Sequence, residues 1–268
     1  MKRIFPILLV FSLAFGPAHA AAAKRVKYKA VEIKNGGTIT GTVKWEGALP
    51  QLKPFPITRD PEFCDLDKTG VKKSPRLVLD PQMGVANSVV YLEDIEKGKK
   101  LQRFSKAKPL TWDQKGCEYS PHVLVVPVKS YLGMRSSDAI LHNIHMFGAA
   151  SYNLPFPEKR TVITKRMRKK GVITLRCDAG HGWMSGIIFV VGHPYYAVTD
   201  ARGNFTLRDV PPGKYTLRAW HEGWNVVKTI KKDGKPAFYE FDEPRVLSRD
   251  VTVPAGGGVS VRFTLRGK

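Results

Sequence analysis

The sequence of 268 residues predicts an all-β fold. Short apolar or alternating runs recur along the chain, and clusters of glycine, proline, asparagine and aspartate separate them. No segment shows long 3.6-residue periodicity. With 43% hydrophobic and 10% aromatic residues, the chain can bury a sizeable core, which excludes intrinsic disorder. It is also too long for one small sandwich, and its length suits two domains or one enlarged domain.

The predicted strands follow one another with turn signals between them. Gly171 is predicted to form the hairpin turn before the strand that ends near Cys177. Ala139–His145 and Ser151–Pro157 are the segments that could form short helical turns instead. The main strands before residue 192 are Thr38–Trp45, Val85–Leu92, His122–Val128, Tyr131–Ser137, Val172–Leu175 and Ile187–Val191.

The N-terminus has the pattern of a secretory signal peptide over residues 1–20. Lys2 and Arg3 precede the apolar run Ile4–Phe15, and Ala18–Ala20 forms a small-x-small cleavage site. The apolar run is too short to span a bilayer comfortably. We therefore expect export to a bacterial periplasm or beyond, where disulfides persist.

A cluster of soft ligands predicts a metal centre. Cys177, His181 and Met184 lie in the run CDAGHGWM, and His142 lies upstream in LHNIH. A thiolate, two imidazoles and a thioether form the ligand set of a mononuclear copper centre, whereas structural zinc sites usually lack the thioether. The alternative to a metal centre is that these residues are structural. Cys177 would then be a buried cysteine beside a turn, and His181 and Met184 would pack in the core and at its edge.

The cysteine count supports the same site. The chain has three cysteines, so one must be free, intermolecular or ligating in an oxidising compartment. Cys64 and Cys117 lie in polar, loop-like contexts, and we expect them to pair. Cys177 is then left for the metal.

The order of these residues resembles the cupredoxin family, in which a ligand histidine precedes an asparagine and the other ligands share one loop. The resemblance implies a Greek-key sandwich, a copper cofactor and single-electron transfer. It selects His142, since Asn143 follows it, and implies that Asn143 ties the two ligand segments together. His145 then faces away, because residues three apart in a strand lie on opposite faces. His122 is interpreted as structural.

The same resemblance assigns roles within the site. Cys177 is the short thiolate ligand, and His142 and His181 are the equatorial nitrogen ligands. Met184 is the weak axial ligand. Trp183 is expected to form part of an apolar surface around a solvent-facing His181, through which a partner docks.

A second, smaller sandwich is indicated after His193. The string TD..G.F.L..VPPG.Y.L..W resembles the carboxypeptidase-regulatory, transthyretin-like β-sandwich, which Val259–Leu265 would complete. Gly37–Pro50 resembles the opening strand of the same domain type. We therefore predict a signal peptide over 1–20, a cupredoxin-like domain over 21–192 and the second sandwich over 193–268. Residues 37–50 fall within the range of the cupredoxin-like domain but could belong to the second sandwich instead. This order of modules resembles that of periplasmic methylamine-utilisation-like proteins.

The formal net charge of +21 is informative about binding partners and solubility, and not about the fold. Basic residues cluster at Lys97–Lys108 and Lys159–Lys170. A β-strand rises about 3.3 Å per residue, so Arg168–Lys170 should lie about 20 Å from the metal, at the far end of the strand that leads to Cys177. Lys159 and Arg160 should lie nearer to the metal. An acidic redox protein such as a c-type cytochrome, or an anionic membrane surface, would fit this charge. Nucleic acid is not expected, because no recognised motif is present.

The sequence does not predict an enzyme. It carries no GxSxG, HExxH, P-loop or Rossmann glycine pattern, and the isolated pair His221-Glu222 is interpreted as structural. We therefore expect an exported copper protein that relays single electrons. The alternatives are a non-redox copper carrier or buffer, and a metal-free interaction protein with a cupredoxin-like shell. The oligomeric state is not predicted.

Overall fold

The computed structural model describes residues 27–159 and 161–267, so the predicted signal peptide and Arg160 lie outside the described residues. No helix in this part of the chain is long and apolar enough to cross a membrane. The described residues contain one short helix, α1 (Pro61–Cys64). The strands are β1 Lys29–Ala30, β2 Gly37–Glu46, β3 Phe55–Pro56, β4 Val71–Lys72, β5 Val89–Leu92, β6 Lys97–Gly98, β7 Leu110–Gln114, β8 Tyr119–Ser120, β9 Val123–Pro127, β10 Tyr131–Ser136, β11 His142–Gly148, β12 Tyr152–Phe156, β13 Val162–Arg166, β14 Gly171–Arg176, β15 Ser185–Val191, β16 Tyr196–Val198, β17 Asn204–Val210, β18 Gly213–His221, β19 Val226–Lys232, β20 Lys235–Phe241, β21 Arg245–Val253 and β22 Gly258–Arg266.

The all-β prediction with two sandwiches is confirmed. Two local expectations are corrected, because neither Ala139–His145 nor Ser151–Pro157 contains a helical turn, and most of each segment is strand. They supply β11 and β12, which pair in antiparallel register from His142 opposite Phe156. Long-range pairing here overrides a weak local preference.

The first sandwich is cupredoxin-like. A four-stranded sheet, in the order β13-β10-β7-β8, faces a five-stranded sheet in the order β12-β11-β14-β15-β9. Trp112, Met134, Ile144 and Ile188 belong to the apolar core of this sandwich. Antiparallel pairing sets His145 of β11 opposite Arg176 of β14, so the start of β11 and the end of β14 lie at the same end.

The second sandwich is discontinuous in sequence. Its sheets have the orders β16-β5-β18-β21 and β17-β2-β22. Within the described residues, β2 and β5 each pair with strands that come later in the chain and with no earlier strand. The structure corrects the assignment of Val85–Leu92 to the first domain, because the ladder partners of β5 belong to the second sandwich. The first sandwich is therefore an insertion between β5 and β16.

The two sandwiches share an apolar interface. Side chains of β15 alternate, so that Ile188 faces the first core while Phe189 and its alternate neighbours face the second sandwich. Phe189 packs edge-on against Trp220 of β18, with ring centroids 5.5 Å apart. Burial on both faces explains why β15 reads as an almost continuous apolar run.

Two further segments lie over one end of the first sandwich. The covering segment comprises residues 55–72, with α1 between the paired strands β3 and β4. The covering hairpin comprises β19 and β20, joined at an Asp233-Gly234 turn. The two contact each other through Phe55 and Tyr239, whose ring centroids lie 4.5 Å apart.

Candidate metal centre

Three of the four predicted ligands converge. His142 begins β11, Cys177 follows β14, and His181 lies in the loop before β15. Their ligand atoms all lie within 4.8 Å of one another, and all three residues are buried. Nδ1 of His181 is 3.6 Å from Sγ of Cys177. The antiparallel pairing of β11 with β14 brings together ligands that are distant in sequence.

Met184 is the fourth predicted ligand, and its position in the fold is consistent with the site. Its backbone N–H donates to the carbonyl of His181 over 2.9 Å, which closes a tight turn in the ligand loop. The side chain is only 2% exposed and belongs to the same core as Cys177. The axial role of Met184 stays a prediction.

The residues present fit a soft metal ion. Nδ1 of His142 is buried without a hydrogen-bond partner, while Nε2 of the same ring lies 2.9 Å from Asp138. In His181, Nδ1 faces Cys177 and Nε2 lies 3.0 Å from Oδ2 of Asp60. Each ring is therefore held by a carboxylate at Nε2, which leaves Nδ1 for a metal. An unpaired imidazole nitrogen beside a buried thiol suits copper.

Asp138 is itself firmly held. Its carboxylate accepts hydrogen bonds from the amides of Gly116 and Cys117 over 2.7 and 2.8 Å. Burial alone would raise the pKa of Asp138, but the hydrogen bonds from His142 and from these two amides outweigh it and lower the pKa. Asp138 therefore remains ionised beside His142.

The ligands are poised to bind a cation with release of a proton. Burial raises the pKa of the Cys177 thiol to about 11, although the amides of Ala179, Asn143 and His181 partly offset this. Burial and the neighbouring His142 lower the pKa of His181 to about 4 despite the opposing effect of Asp60. Near neutral pH the imidazole of His181 is thus neutral and ready to ligate, while a metal must displace the thiol proton.

Asn143 connects the two ligand segments, as the resemblance implied. Its side-chain oxygen accepts the backbone N–H of Asp178 over 3.2 Å. Its backbone amide bonds to Cys177, and its carbonyl accepts the hydroxyl of Tyr119 over 2.6 Å. These bonds fix the position of Cys177 relative to β11.

His181 is not solvent-facing, which corrects the expected docking arrangement. Its side chain is 0% exposed, because Asp60 of the covering segment lies against Nε2. Trp183 is also buried, and its indole N–H donates to the carbonyl of Cys117 over 3.0 Å. Neither residue therefore belongs to an exposed apolar surface.

The covering segment is anchored by the predicted disulfide. Cys64 of α1 is bonded to Cys117, and Cys177 is the free cysteine, as expected. Asp60 is the N-cap residue of α1, yet its side chain makes no cap bond, and its φ of 46° is unusual outside glycine. The carboxylate binds His181 instead of capping its own helix. The disulfide thereby links the segment carrying Asp60 to the turn that binds Asp138.

The covering hairpin closes the ligand loop from another side. A Cβ placed on Gly182 would lie 2.7 Å from the carbonyl oxygen of Ala237 and 3.1 Å from that of Pro236. Only glycine fits this close approach of two backbones.

The other histidines in the described part of the chain lie outside the centre. His145 contacts Asp178 on the outer side of β11. His122 contacts Glu222, and the buried Arg76 lies 2.8 Å from the same carboxylate. This network crosses the interface between the sandwiches. Within the pair His221-Glu222, it is Glu222 that makes the contact across the interface, while Nδ1 of His221 lies 2.8 Å from the carbonyl oxygen of Glu222.

Sequence reasoning missed Asp60 and the partners of Glu222. The adjacent Asp60-Pro61 pair is a helix-start signal, and it could have located α1 but not the contact with His181. No pattern in the sequence joins Arg76 to Glu222.

Comparisons with known proteins gave one family match and several similar solved structures. Residues 187–266 match the carboxypeptidase regulatory-like domain family. No curated protein matches the sequence. The solved structures similar to the chain include a copper-containing nitrite reductase from Thermus scotoductus SA-01, with 22% identity over 35% of this chain and 26% of that one and a TM-score of 0.30. The chain therefore spans about a quarter of that reductase.

Two smaller cupredoxins are also similar. A purple cupredoxin from Nitrosopumilus maritimus is 20% identical over 31% of this chain and 99% of that one, with a TM-score of 0.27. A copper(I) form of an amicyanin variant is 21% identical over 31% of this chain and 82% of that one, with a TM-score of 0.28. By its own strand order and domain match, the chain combines a cupredoxin-like sandwich with a carboxypeptidase regulatory-like sandwich.

Proposed function

We propose that the protein is an exported mononuclear copper protein that relays single electrons to or from a redox partner. The observation that carries this proposal is the unpaired, buried Nδ1 of His142 beside the Cys177 thiol and Nδ1 of His181. Copper, when bound, would supply one-electron chemistry between its cuprous and cupric states. We expect electron relay rather than turnover of a substrate.

The chain's own residues would keep the site rigid. His142, Cys177 and His181 would hold the ion, with Met184 as a weak axial ligand. Asp138 and Asp60 fix the two rings through Nε2. Because the ligands are buried and both imidazole rings are held by hydrogen bonds, their positions should change little between the two oxidation states of the ion, which favours rapid electron transfer.

The partner we propose is an acidic redox protein such as a c-type cytochrome. It would dock on the covering segment or the covering hairpin, because His181 has no exposed edge. The hairpin exposes Lys228, Lys231 and Lys232. An acidic surface would complement these charges and accelerate encounter.

A second candidate is a non-redox copper carrier or buffer. The complete burial of His181 favours retention of an ion over rapid exchange, which suits a store. Loading and release would then require the covering segment to open.

The test combines metal analysis, visible spectroscopy and voltammetry. The wild type should bind one copper per chain, show an intense thiolate charge-transfer band when oxidised and cycle reversibly. Cys177→Ser should lose the band, and Met184→Leu should keep it with a shifted potential. Met146→Leu, a buried methionine of the same core, is the matched control and should change neither.

Three outcomes would change the assignment. Retention of zinc but never copper would refute the copper proposal. Copper binding without reversible electrochemistry would favour the carrier. A wild type that holds no metal after expression with copper would favour the metal-free interaction protein.

A further inference from the structure

The end of the first sandwich opposite the metal centre collects several loops. Parallel pairing places Val191 of β15 beside Pro127 of β9, and antiparallel pairing places Gly171 of β14 opposite Val190. In the facing sheet, Tyr131 pairs with Arg166. The β9–β10 and β13–β14 turns therefore lie at one end, six residues of β14 away from Cys177. At about 3.3 Å per residue, that separation is about 20 Å.

These loops carry a dense positive charge, here called the basic end. Arg103 joins it by donating to the carbonyl of Val128 over 3.1 Å, and Arg166 donates to that of Lys129 over 3.3 Å. All its members are exposed, and none forms an ion pair with another described residue. They are Arg103, Lys129, Arg166, Arg168, Lys169 and Lys170.

Nearby acids neutralise little of this charge. Glu93 and Asp94 line a cavity beside Arg103, Lys129 and Lys170. Glu93 is already paired with Arg218 through two contacts of 2.9 Å. Asp94 therefore remains as the one unpaired acid among the described residues lining that cavity.

We propose that the basic end binds an anionic lipid surface through its headgroup phosphates. Each Lys or Arg held near an anionic membrane raises the membrane–water partition coefficient about fivefold. Six such residues together therefore suffice for stable attachment. The two turns lie at the same end of the sandwich and Arg103 lies beside them, so the six charges share one face that can meet a planar membrane. The attachment would direct the metal centre away from the lipid and towards soluble partners. It goes beyond the proposed function and does not depend on copper.

The composition of this face favours lipid over a protein partner. The centre of a protein interface is usually apolar and enriched in aromatic residues. None of the large hydrophobic side chains exposed in the described residues lies in the β9–β10 turn, in the β13–β14 turn or beside Arg103. Phe63, Leu66 and Leu141 are exposed near the metal centre instead. The basic end offers charge alone, which an anionic headgroup layer matches.

The experiment measures partition of the full chain onto phosphatidylcholine vesicles with and without phosphatidylglycerol, by co-sedimentation at low and high salt. Binding to pure phosphatidylcholine measures any contribution from residues 1–20. The test variant is Arg168→Gln, Lys169→Gln and Lys170→Gln together. The matched control removes the same charge near the metal centre with Lys228→Gln, Lys231→Gln and Lys232→Gln. Circular dichroism verifies folding of each.

Wild type should bind the anionic vesicles selectively, and high salt should release it. The partition coefficient of the basic-end variant on anionic vesicles should fall about a hundred-fold, and that of the control variant should fall far less. Equal losses in the two variants, or equal binding to both vesicle types, would overturn the proposal. Binding to soluble polyglutamate but not to anionic vesicles would overturn it in favour of an acidic protein partner. The Cys177→Ser variant should bind vesicles like the wild type, so failure of the copper site leaves this test intact.

Discussion

Oδ2 of Asp60 lies 3.0 Å from Nε2 of His181, and the side chain of His181 is completely buried beneath it. The carboxylate comes from the covering segment, 121 residues earlier in the chain. The ring is therefore oriented, and shielded from solvent, by a segment outside the cupredoxin-like sandwich.

Asp60→Asn should weaken the metal site while leaving the fold intact. Loss of a carboxylate that orients a ligand histidine typically lowers metal affinity 10- to 100-fold. The reduction potential should rise, because a negative charge near the oxidised centre is removed. Competition with a chelator and voltammetry measure the two effects. Glu62→Gln, an exposed acid of α1, is the control, and an equal effect of both variants would show that only net charge matters.

Removing the disulfide by Cys64→Ser should lower the free energy of unfolding by about 2–5 kcal/mol. It should also accelerate metal exchange, because α1 and Asp60 are no longer tied to the turn at Cys117. Denaturant titration and chelator kinetics measure these changes. In the wild type, mass mapping of non-reduced peptides should show the Cys64–Cys117 bridge, and a bridge that includes Cys177 would refute the ligand assignment.

Glu222→Gln should cost about 3–5 kcal/mol, because it leaves Arg76 buried without its partner. Denaturant titration at pH 7 gives the value. Glu46→Gln, which removes an exposed pair with Arg266, should change stability far less. Similar costs for the two variants would show that burial of the network is unimportant.

The same residue predicts an acid-sensitive stability. Burial would raise the pKa of Glu222, but His122 and Arg76 outweigh it, so the pKa lies below its ordinary value of 4.5. Its stabilising contribution is thus complete above pH 4.5 and is lost as the pH falls through the lower folded value. Stability measured down to pH 3 should fall less steeply in Glu222→Gln than in the wild type. Parallel curves would contradict the assignment.

Gly182→Ala should displace the covering hairpin, because the new methyl group would meet the backbone of Ala237. The cost of such overpacking is about 1–3 kcal/mol, and the visible band should shift with the ligand loop. Gly258→Ala is the control, since its methyl group would lie 3.7 Å from the nearest atom, the carbonyl oxygen of Thr38. An unshifted band in Gly182→Ala would show that the hairpin does not constrain the site.

Electron exchange with an acidic cytochrome should depend on charge near the metal centre. Exposed charges act over about 8 Å at physiological ionic strength, so Lys159→Glu should slow exchange more than Arg168→Glu. Stopped-flow rates at several salt concentrations provide the comparison. If both substitutions slowed electron exchange equally, charge would act only through the overall electrostatic field of the protein and not through docking near the metal centre.

Local sequence spacing placed Cys177 and His181 in one loop, the resemblance selected His142, and the structure brings these three residues together. The axial role of Met184 stays a prediction. The same reasoning could not find Asp60 or the Arg76–Glu222 pair. Those contacts join segments 121 and about 150 residues apart, and only the packing of separate domains creates them. The resemblance implied that His181 is exposed, and its own loop gives no sign of the segment that covers it.

The discontinuous second sandwich has a consequence for biosynthesis. Its strand β2 pairs on both sides with late strands, and Glu46 meets Arg266 across a separation of 220 residues. Closing so long a loop is slow. The inserted sandwich can complete all its own ladders from residues 110–191 before the C-terminal strands of the second sandwich are in place. The folding chain should therefore acquire its ligand cluster first and keep the edges of β2 unpaired until β17 and β22 dock, which is the interval in which it is most open to aggregation and most dependent on a chaperone.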